Sequence, residues 1–449
     1  MSKENNAATK PFYNSTIPLD WNIPEFSDVF SFLKSFSFSR EQLTDKKTVD
    51  EIQNIHYGDI HATYENEILD FEIEQRIPFL KTGLFDIKEF TDKEFSALAD
   101  GDLIIADASE DYKGVCNCVE LKNVNGRKVI SGLHTFAARG NIEEIAFGFR
   151  TYALNNQQVV RELRRIATGT SVYGVSKKNL SKVKLPLPPL PEQRFIAHFL
   201  GLMDSAINHN NKLMVQKVLQ KKWLMQNLLT GRRRIQKYVK NKQHQKTILG
   251  ELPVDWKLKT LKSILNSVRK SLVPKQAEMY QQIGIRSHTK GIFYKEKVSG
   301  AEIGDKSVFW IEPDCFIVNI VFAWEHAIAK TTENEIGMIA SHRFPMFKPK
   351  EGVMNLDYLL YFFKSLRGKH LLGLASPGGA GRNKTLGQSE FVKLQIPVPS
   401  IEEQTAIAQV LQAADKEIQL LKTKTEKLRE QKKGMMQVLL TGKKRLKIN

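Results

Sequence analysis

The stretch LPLPPLPEQ at Leu185–Gln193 comes back as IPVPSIEEQ at Ile396–Gln404, and LLTGRRR at Leu228–Arg234 comes back as LLTGKKR at Leu439–Arg445. The offset is the same at both ends: 403 minus 192 and 442 minus 231 each give 211, so no residue is gained or lost between them. An internal repeat is weighed before other signals because it fixes the architecture. Here it implies one long helix of fixed length, made twice.

Start, middle and stop all read as helix. Ser400 and Glu403 have the spacing of a capping box, in which serine and glutamate satisfy free amides of the first turn. Pro191 suits an early helical position, where a missing N–H costs nothing. Gly231 and Gly442 stand where a left-handed residue would end each helix, with a basic run behind. Between them a seam steps by four and three through Ile407, Leu411, Ala414, Ile418, Leu421, Thr425, Leu428, Lys432, Met435 and Leu439. The first copy gives Ile196, Leu200, Met203, Ile207, Asn210, Met214, Lys217, Lys221, Leu224 and Leu228. A narrow stripe of this period is a coiled-coil seam, with polar interruptions that can fix register. Two unrelated surface helices are the plainer alternative, but equal length and matching ends favour helices packed on each other. From Pro191 to Leu229 each would be on the order of 57 Å long at roughly 1.5 Å per residue.

The 449 residues suffice for two or three domains with real cores. Sixty-seven Lys and Arg against 49 Asp and Glu give +18, which points to a polyanion: nucleic acid first, an acidic membrane surface second. Met1–Lys10 is polar and unlike a signal peptide, and the apolar run around Cys315–Trp324 is too short to span a bilayer. Cys116, Cys118 and Cys315 form no disulfide framework, which fits a reducing cytoplasm. They also lack the spacing of a zinc site, so they are expected as buried structural thiols and no metal is assigned.

Ile17–Trp21 (IPLDW) opens one large segment and Leu252–Trp256 (LPVDW) opens another, so the repeat unit is a globular segment followed by the helix. The expected division is a disordered tail at 1–16, a first segment at 17–184, a helix at 185–231 and a basic linker at 232–251. A second segment at 252–395, a helix at 396–442 and a basic tail at 443–449 complete it. Both segments read as mixed α/β. Strands are expected at Ile52–Tyr57, Leu103–Ala106, Tyr280–Ile285, Ser307–Trp310 and Cys315–Ala323, and helices at Gln157–Ile166 and Asp357–Ser365. Arg232–Lys246 holds seven basic residues and no acid, which fits either a solvated linker or phosphate contact.

Catalytic motifs are missing. Gly378–Thr385 comes nearest to a phosphate loop but has Asn383 where glycine is needed. No dinucleotide fingerprint follows a strand, and no metalloprotease, serine-hydrolase or amino-methyltransferase motif occurs. The chain reads as non-catalytic. Polar and aromatic residues interleave with glycine in both segments, with Asn54–His61 aligned against Gln282–Gly291. Such residues can fork onto base edges in the major groove, while cations position the phosphates.

With Pro186–Gln193 and Ile196-Ala197 matched by Pro397–Gln404 and Ile407-Ala408, with Leu-Leu-Thr-Gly twice, and with Gly101–Ser109 and Gly291–Phe293, the chain resembles the specificity subunit of type I restriction–modification systems. The resemblance spans nearly the whole chain. It implies two target-recognition domains, each binding half of a split asymmetric sequence in double-stranded DNA. The repeated helices would pair antiparallel, in a pseudo-twofold arrangement, as a spacer between half-sites. They would also dock two methyltransferase subunits. Restriction subunits that translocate DNA with ATP complete the complex, so S-adenosylmethionine, ATP and Mg belong to partners and no cofactor to this chain. The adenine flipped for methylation enters the partner's pocket. One departure stands out: Pro189 and Pro191 replace Ser400 and Glu402, so the first helix is expected to begin differently.

Within this frame the base-edge candidates are His56, Tyr57, His61, Asp107, Ser109, Tyr112, Arg286, His288 and Lys290. Phosphate candidates are Thr170, Ser171, Lys177, Lys178, Arg382, Asn383 and Lys384, and methyltransferase-interface candidates are Leu200, Gln226, Leu411 and Gln437. Three competing readings are an RNA-binding protein with a dimerising stalk, a stand-alone nuclease or methyltransferase, and a coiled-coil scaffold that would leave the +18 charge unused.

Overall fold

The computed structural model describes residues 8–86, 88, 97–378 and 384–445. The chain divides into two compact units, one of residues 1–211 with 424–449 and one of residues 212–423. Both long helices are therefore divided: the first, Leu190–Leu228, and the second, Ile401–Leu439, each give one part to each unit.

Both helices have 39 residues, and their first residues differ by the repeat offset, so the two prolines do not shift the start of the first. The reason is that the amides of Glu192 and Gln193 are taken by the Pro189 carbonyl, as that of Gln404 is by the Ser400 carbonyl. The expected capping box is half formed. The Glu403 amide donates to Ser400 Oγ, but the Glu403 carboxylate is taken by Arg234 and the Trp256 indole. Gly231 and Gly442 have φ of 70° and 68°, the left-handed stop that their positions predict. A side chain there would also collide, because a Cβ on Gly231 lies 2.5 Å from Pro253 and one on Gly442 lies 2.4 Å from Pro18.

Every seam position is buried or half-buried. In unit 1, Ile196, Leu200 and Met203 share a core with Met435, Met436, Leu439 and Leu440, so the start of the first helix meets the end of the second. In unit 2, Leu224, Leu228 and Leu229 share a core with Ile407, Ala408 and Leu411. The two helices pack together and run in opposite directions.

Unit 1 builds a five-stranded sheet. Its strands are β1 (Phe30–Leu33), β3 (Ile68–Asp70), β4 (Leu103–Ala106), β5 (Cys118–Lys122) and β7 (Thr135–Gly140), ordered β1-β7-β4-β5-β3. Phe136 faces Ile105 in the β7–β4 pair, and β3 joins parallel to β5 with Leu69 opposite Leu121. A smaller sheet pairs β2 (Ile52–Ile55) with β6 (Lys128–Ser131) in parallel. Unit 2 has a four-stranded sheet in the order β8 (Leu265–Val268), β14 (Met346–Pro349), β11 (Phe316–Val318), β12 (Ile328–Lys330). Its second sheet includes β9 (Met279–Arg286), β10 (Gly291–Ser299) and β13 (Ile339–Ser341), with β9 and β13 parallel. Unit 2 thus repeats the strand order of unit 1 without a counterpart to the edge strand β3.

Several expectations give way. Residues 9–18, placed in the tail up to residue 16, form a hairpin, Thr9–Phe12 with Ser15–Pro18, whose Phe12 and Ile17 sit in the core. The stretch expected as basic linker, 232–251, likewise ends in a hairpin, His244–Thr247 with Gly250–Pro253, that runs on into the second segment. The strand expected at Ile52–Tyr57 stops at Ile55, because His56 caps a short helix, Tyr57–Ala62. The strand expected at Cys315–Ala323 ends at Val318, where the Asn319 side chain accepts the Val321 amide and turns the chain. Leu103–Ala106 and Gln157–Ile166 match their expected spans, and the helix expected at Asp357–Ser365 runs Leu356–Lys364. All three cysteines are free and buried, and burial pushes the thiols of Cys116 and Cys118 up to about 12. Among the described residues no cluster could hold a metal ion, and no helix is long and apolar enough to cross a membrane.

The repeated motifs turn out to fasten the fold. Arg445 is bonded to Glu192 at 2.7 Å and to Asp20 at 2.8 Å, and Arg234 is bonded to Glu403 at 2.7 Å and to Asp255 at 2.8 Å. The glutamine beside each glutamate ties in the globular segment. Gln193 accepts from the Ala146 amide and donates to the Glu144 and Pro188 carbonyls, and Gln404 makes the same three bonds with Asn355, Val353 and Pro399. These motif residues act within the protein rather than on a ligand.

Candidate nucleic-acid interface

In unit 1 the candidates gather beyond the C-terminal ends of β2 and β4. Tyr57 follows β2 and sets its ring edge-on to His61 (6.0 Å between centroids) and to His134 (5.4 Å). His134 Nδ1 lies 3.3 Å from an oxygen of Asp107, the residue after β4. Burial raises the Asp107 carboxyl above the ordinary range, with His134 pulling the other way. Tyr112, 45% exposed as a residue, donates to the Arg164 carbonyl and meets Tyr173 edge-on at 5.1 Å. Thr170 and Ser171 are exposed in the turn between Thr168 and Gly174. Lys177 and Lys178 are exposed on the first turn of a five-residue helix, and Lys177 Nζ stands over Phe32 and Phe136 at 5.3 and 5.6 Å.

Three candidates are already committed to internal bonds. His56 Nδ1 accepts the Gly58 amide, and burial lowers its pKa, so the ring stays neutral as a helix cap. His61 has a fixed tautomer: Nε2 donates to the Ala108 carbonyl at 3.0 Å, and Nδ1 then accepts from the Asn117 amide at 3.3 Å. Ser109 is buried and closes a turn with Asp111. His56 and Ser109 thus shape the surface from beneath it, while His61 is half-buried. His134 was absent from the sequence candidates, because only the pairing of β7 with β4 delivers it to Asp107.

In unit 2 the matching strand ends are those of β9 and β11. The β9–β10 turn carries Arg286, whose guanidinium stacks on Phe293 at 5.1 Å, and exposed His288 and Lys290. His288 and Thr289 both have φ near +57°. That turn is docked on the segment after β11: the His288 amide donates to the Glu325 carbonyl, the Thr289 amide to the His326 carbonyl, and Ser287 Oγ to the Glu325 carboxylate. Lys384 Nζ reaches the Trp324 ring at 5.9 Å, and the Leu386 amide donates to the Ile320 carbonyl. Arg382 and Asn383 lie outside the described residues. Exposed Arg343, whose carbonyl accepts the Ile320 amide, is a cation here that the sequence pattern did not single out.

The interface candidates on the long helices divide. Gln226 and Gln437 are exposed, whereas Leu200 and Leu411 are each 0% exposed and belong to the unit cores, so neither leucine offers a docking surface.

Two buried groups give the units opposite pH responses. Glu120 on β5 accepts the Gly148 and Thr151 amides, and burial pushes its carboxyl up to about 7. The folded form thus holds the proton more tightly than an unfolded chain, whose carboxyl titrates near 4.5. The contribution is present below pH 4.5 and is lost as pH rises through about 7. His326 is held down to about 4 by burial, with Lys369 and His288 adding to it, so its contribution is present above pH 6.5 and is lost as pH falls through about 4. Hydrogen exchange should show protection in unit 1 falling from pH 5 to 7.5 and protection in unit 2 falling from pH 6.5 to 4. Glu120→Gln should flatten the first trend and His326→Asn the second. Unchanged slopes in the variants would rule out these groups as the source.

The family described as "Type I restriction modification DNA specificity domain" matches residues 18–217 and 253–430. The Type I restriction enzyme MjaVIII specificity subunit of Methanocaldococcus jannaschii is 22% identical over 476 aligned positions, covering 98% of this chain and 96% of that one. Among solved structures, the S subunit of a type-I restriction–modification system from M. genitalium superposes with a TM-score of 0.51 at 11% identity, over 100% of this chain and 99% of that one. A structure described by complex assembly and conformational transition of the type I R-M system gives 0.51 at 14% identity, over 95% of this chain and 98% of that one. At these identities the structural likenesses speak for the fold. The chain belongs to the type I restriction–modification DNA specificity family and is a specificity subunit of such a system. Its function is DNA recognition, not RNA binding, and specificity subunits of this family are non-catalytic. They associate with DNA and with the modification and restriction subunits, which bind the cofactors.

Proposed function

We propose that the two strand-end patches are the reading heads of target-recognition domains at 17–184 and 252–395, and that they read the unlike halves of a bipartite, asymmetric duplex sequence. The observation that supports this most is the placement of dissimilar side chains beyond corresponding strands. Unit 1 puts Tyr57, Asp107 and His134 beyond β2 and β4, and unit 2 puts Arg286, His288, Lys290 and Lys384 beyond β9 and β11. A carboxylate beside phenol and imidazole rings suits cytosine or adenine edges, and Arg or Lys suits guanine. The helices at 185–231 and 396–442, packed as an antiparallel coiled coil, act as the pseudo-twofold spacer. Two methyltransferase subunits dock on them near Gln226 and Gln437, bringing S-adenosylmethionine, while ATP and Mg come with the restriction subunits. The complex works in the cytoplasm.

The heads can be tested one at a time. His134→Ala should relax base preference in one half-site only and Arg286→Ala in the other, each by about 1–3 kcal/mol of discrimination. Loss of both halves with either variant would contradict the assignment. Replacing Arg382 and Lys384 with alanine should weaken binding evenly across sequences and reduce the slope of log affinity against log salt by about 2. An unchanged slope removes these residues from the phosphate set.

A further inference from the structure

The edge strand β3 of unit 1 has no counterpart in the four-stranded sheet of unit 2, and the residues just before it touch both long helices. Glu65 pairs with Arg429 on the second helix at 3.3 Å, and Asn66 Nδ2 donates to Asn208 Oδ1 on the first at 3.3 Å. Glu67 pairs with Lys432, again on the second helix. Glu67 is rigidly mounted, because its carbonyl accepts the Glu120 amide at 2.9 Å from the middle of the sheet.

The surroundings show what is special about this contact. Lys432 is also 2.6 Å from Asp204, and Asp204 accepts from the Tyr152 hydroxyl. Unit 2 repeats that part, with Lys221 and Asp415 at the offset of 211 and Tyr361 at one of 209, in the same bonds. Among the described residues of unit 2, Lys221 pairs with Asp415 and with no second carboxylate in the place of Glu67, and Arg429 and Asn208 correspond to Val218 and Gln419. Both units therefore have the Tyr–Asp–Lys connection to the helices, and among the described residues unit 1 alone adds a three-residue clasp.

The members contribute unequally. Glu65 and Arg429 are each more than half exposed, so that pair adds little. Lys432 is 8% exposed at its side chain and sits between two carboxylates, so Glu67 is the member with leverage on the pose of the sheet.

We propose that Glu65-Asn66-Glu67 is a positioning element for target recognition. By gripping both helices it fixes the pose of the first recognition segment, and so makes the protein selective for one gap length between half-sites. The inference rests on the spacer reading above and goes beyond it by naming the residues that make the spacing strict.

The test uses the full chain with its methyltransferase subunits, and methylation rates on duplexes whose gap is the natural one or one base pair shorter or longer. Glu67→Gln keeps shape and leaves Lys432 its Asp204 partner. The ratio of natural-gap to altered-gap rates should fall about tenfold, within the usual coupling range of neighbouring groups. The natural-gap rate should stay within about threefold of the parent. Asn66→Ala, which leaves every ion pair in place, supplies the same comparison if Glu67→Gln lowers the unfolding temperature. An unchanged ratio in both variants, or an equal fall at every gap, overturns the clasp. If the parent chain itself shows no gap preference, the spacer reading falls and the clasp with it.

Discussion

Arg234→Met is expected to destabilise unit 2 by about 3–5 kcal/mol, the usual cost of leaving one member of a buried ion pair without its partner. The Arg234 side chain is 7% exposed and that of Glu403 2%. Arg234 also bonds Asp255 and the Tyr238 carbonyl, and it stacks on Trp256 at 5.8 Å, so several elements lose a shared anchor at once. Glu403 keeps the indole N–H of Trp256 as a donor, which cannot neutralise it. Hydrogen exchange in urea should show the loss in residues 212–423 first, with the core of unit 1 retaining its protection. The matching change, Arg445→Met, should cost less, because the Arg445 side chain is 34% exposed, although Glu192 is equally buried. A loss under about 1 kcal/mol for Arg234→Met would mean that the pair is not the fastening described here.

The second large effect is on the target itself. Inserting seven residues into each long helix, at paired seam positions, preserves the seam and lengthens each helix by roughly 10 Å. At about 3.4 Å per base pair the recognised gap should grow by about three base pairs, with both half-sites unchanged. Methylation of duplexes with graded gaps measures this directly. A preference that stays at the original gap would show that the helices do not set the spacing.

The sequence showed the parts of this molecule that depend on local pattern. Helix length and stops followed from the repeat, and the seam followed from a spacing of three and four residues that needs no knowledge of the partner. The work done by the repeated motifs was not visible. Glu192 meets Arg445 across 253 positions and Glu403 meets Arg234 across 169, and no periodicity announces a bond of that reach. The first strand and turn of the hairpin at Thr9–Pro18 fell in the stretch read as tail, up to residue 16, because few side chains, Phe12 among them, carry their packing. For the proposed site, the sequence carried the strand ends on which the candidates stand more than the detail of each side chain. Asn54–His61 and Gln282–Gly291 span the C-terminal ends of β2 and β9, and each of these strands pairs in parallel with a neighbour in its own sheet. Which ring faces outward depends on tautomers and turns: His61 is held by Ala108 and Asn117, and His134, far along the chain, takes the exposed place beside Asp107. The interface leucines failed for a related reason. Leu200 and Leu411 occupy the repeated seam, and a seam position is the one place on such a helix that a partner cannot reach.

Two dissimilar reading heads held at a set separation are tested most directly by mapping methylated adenines in DNA from cells that carry this chain with its methyltransferase partner. The account predicts methylation at a motif of two unlike half-sites divided by a gap of constant length and indifferent sequence. A single contiguous motif, two identical half-sites, or a gap that varies from site to site would contradict it.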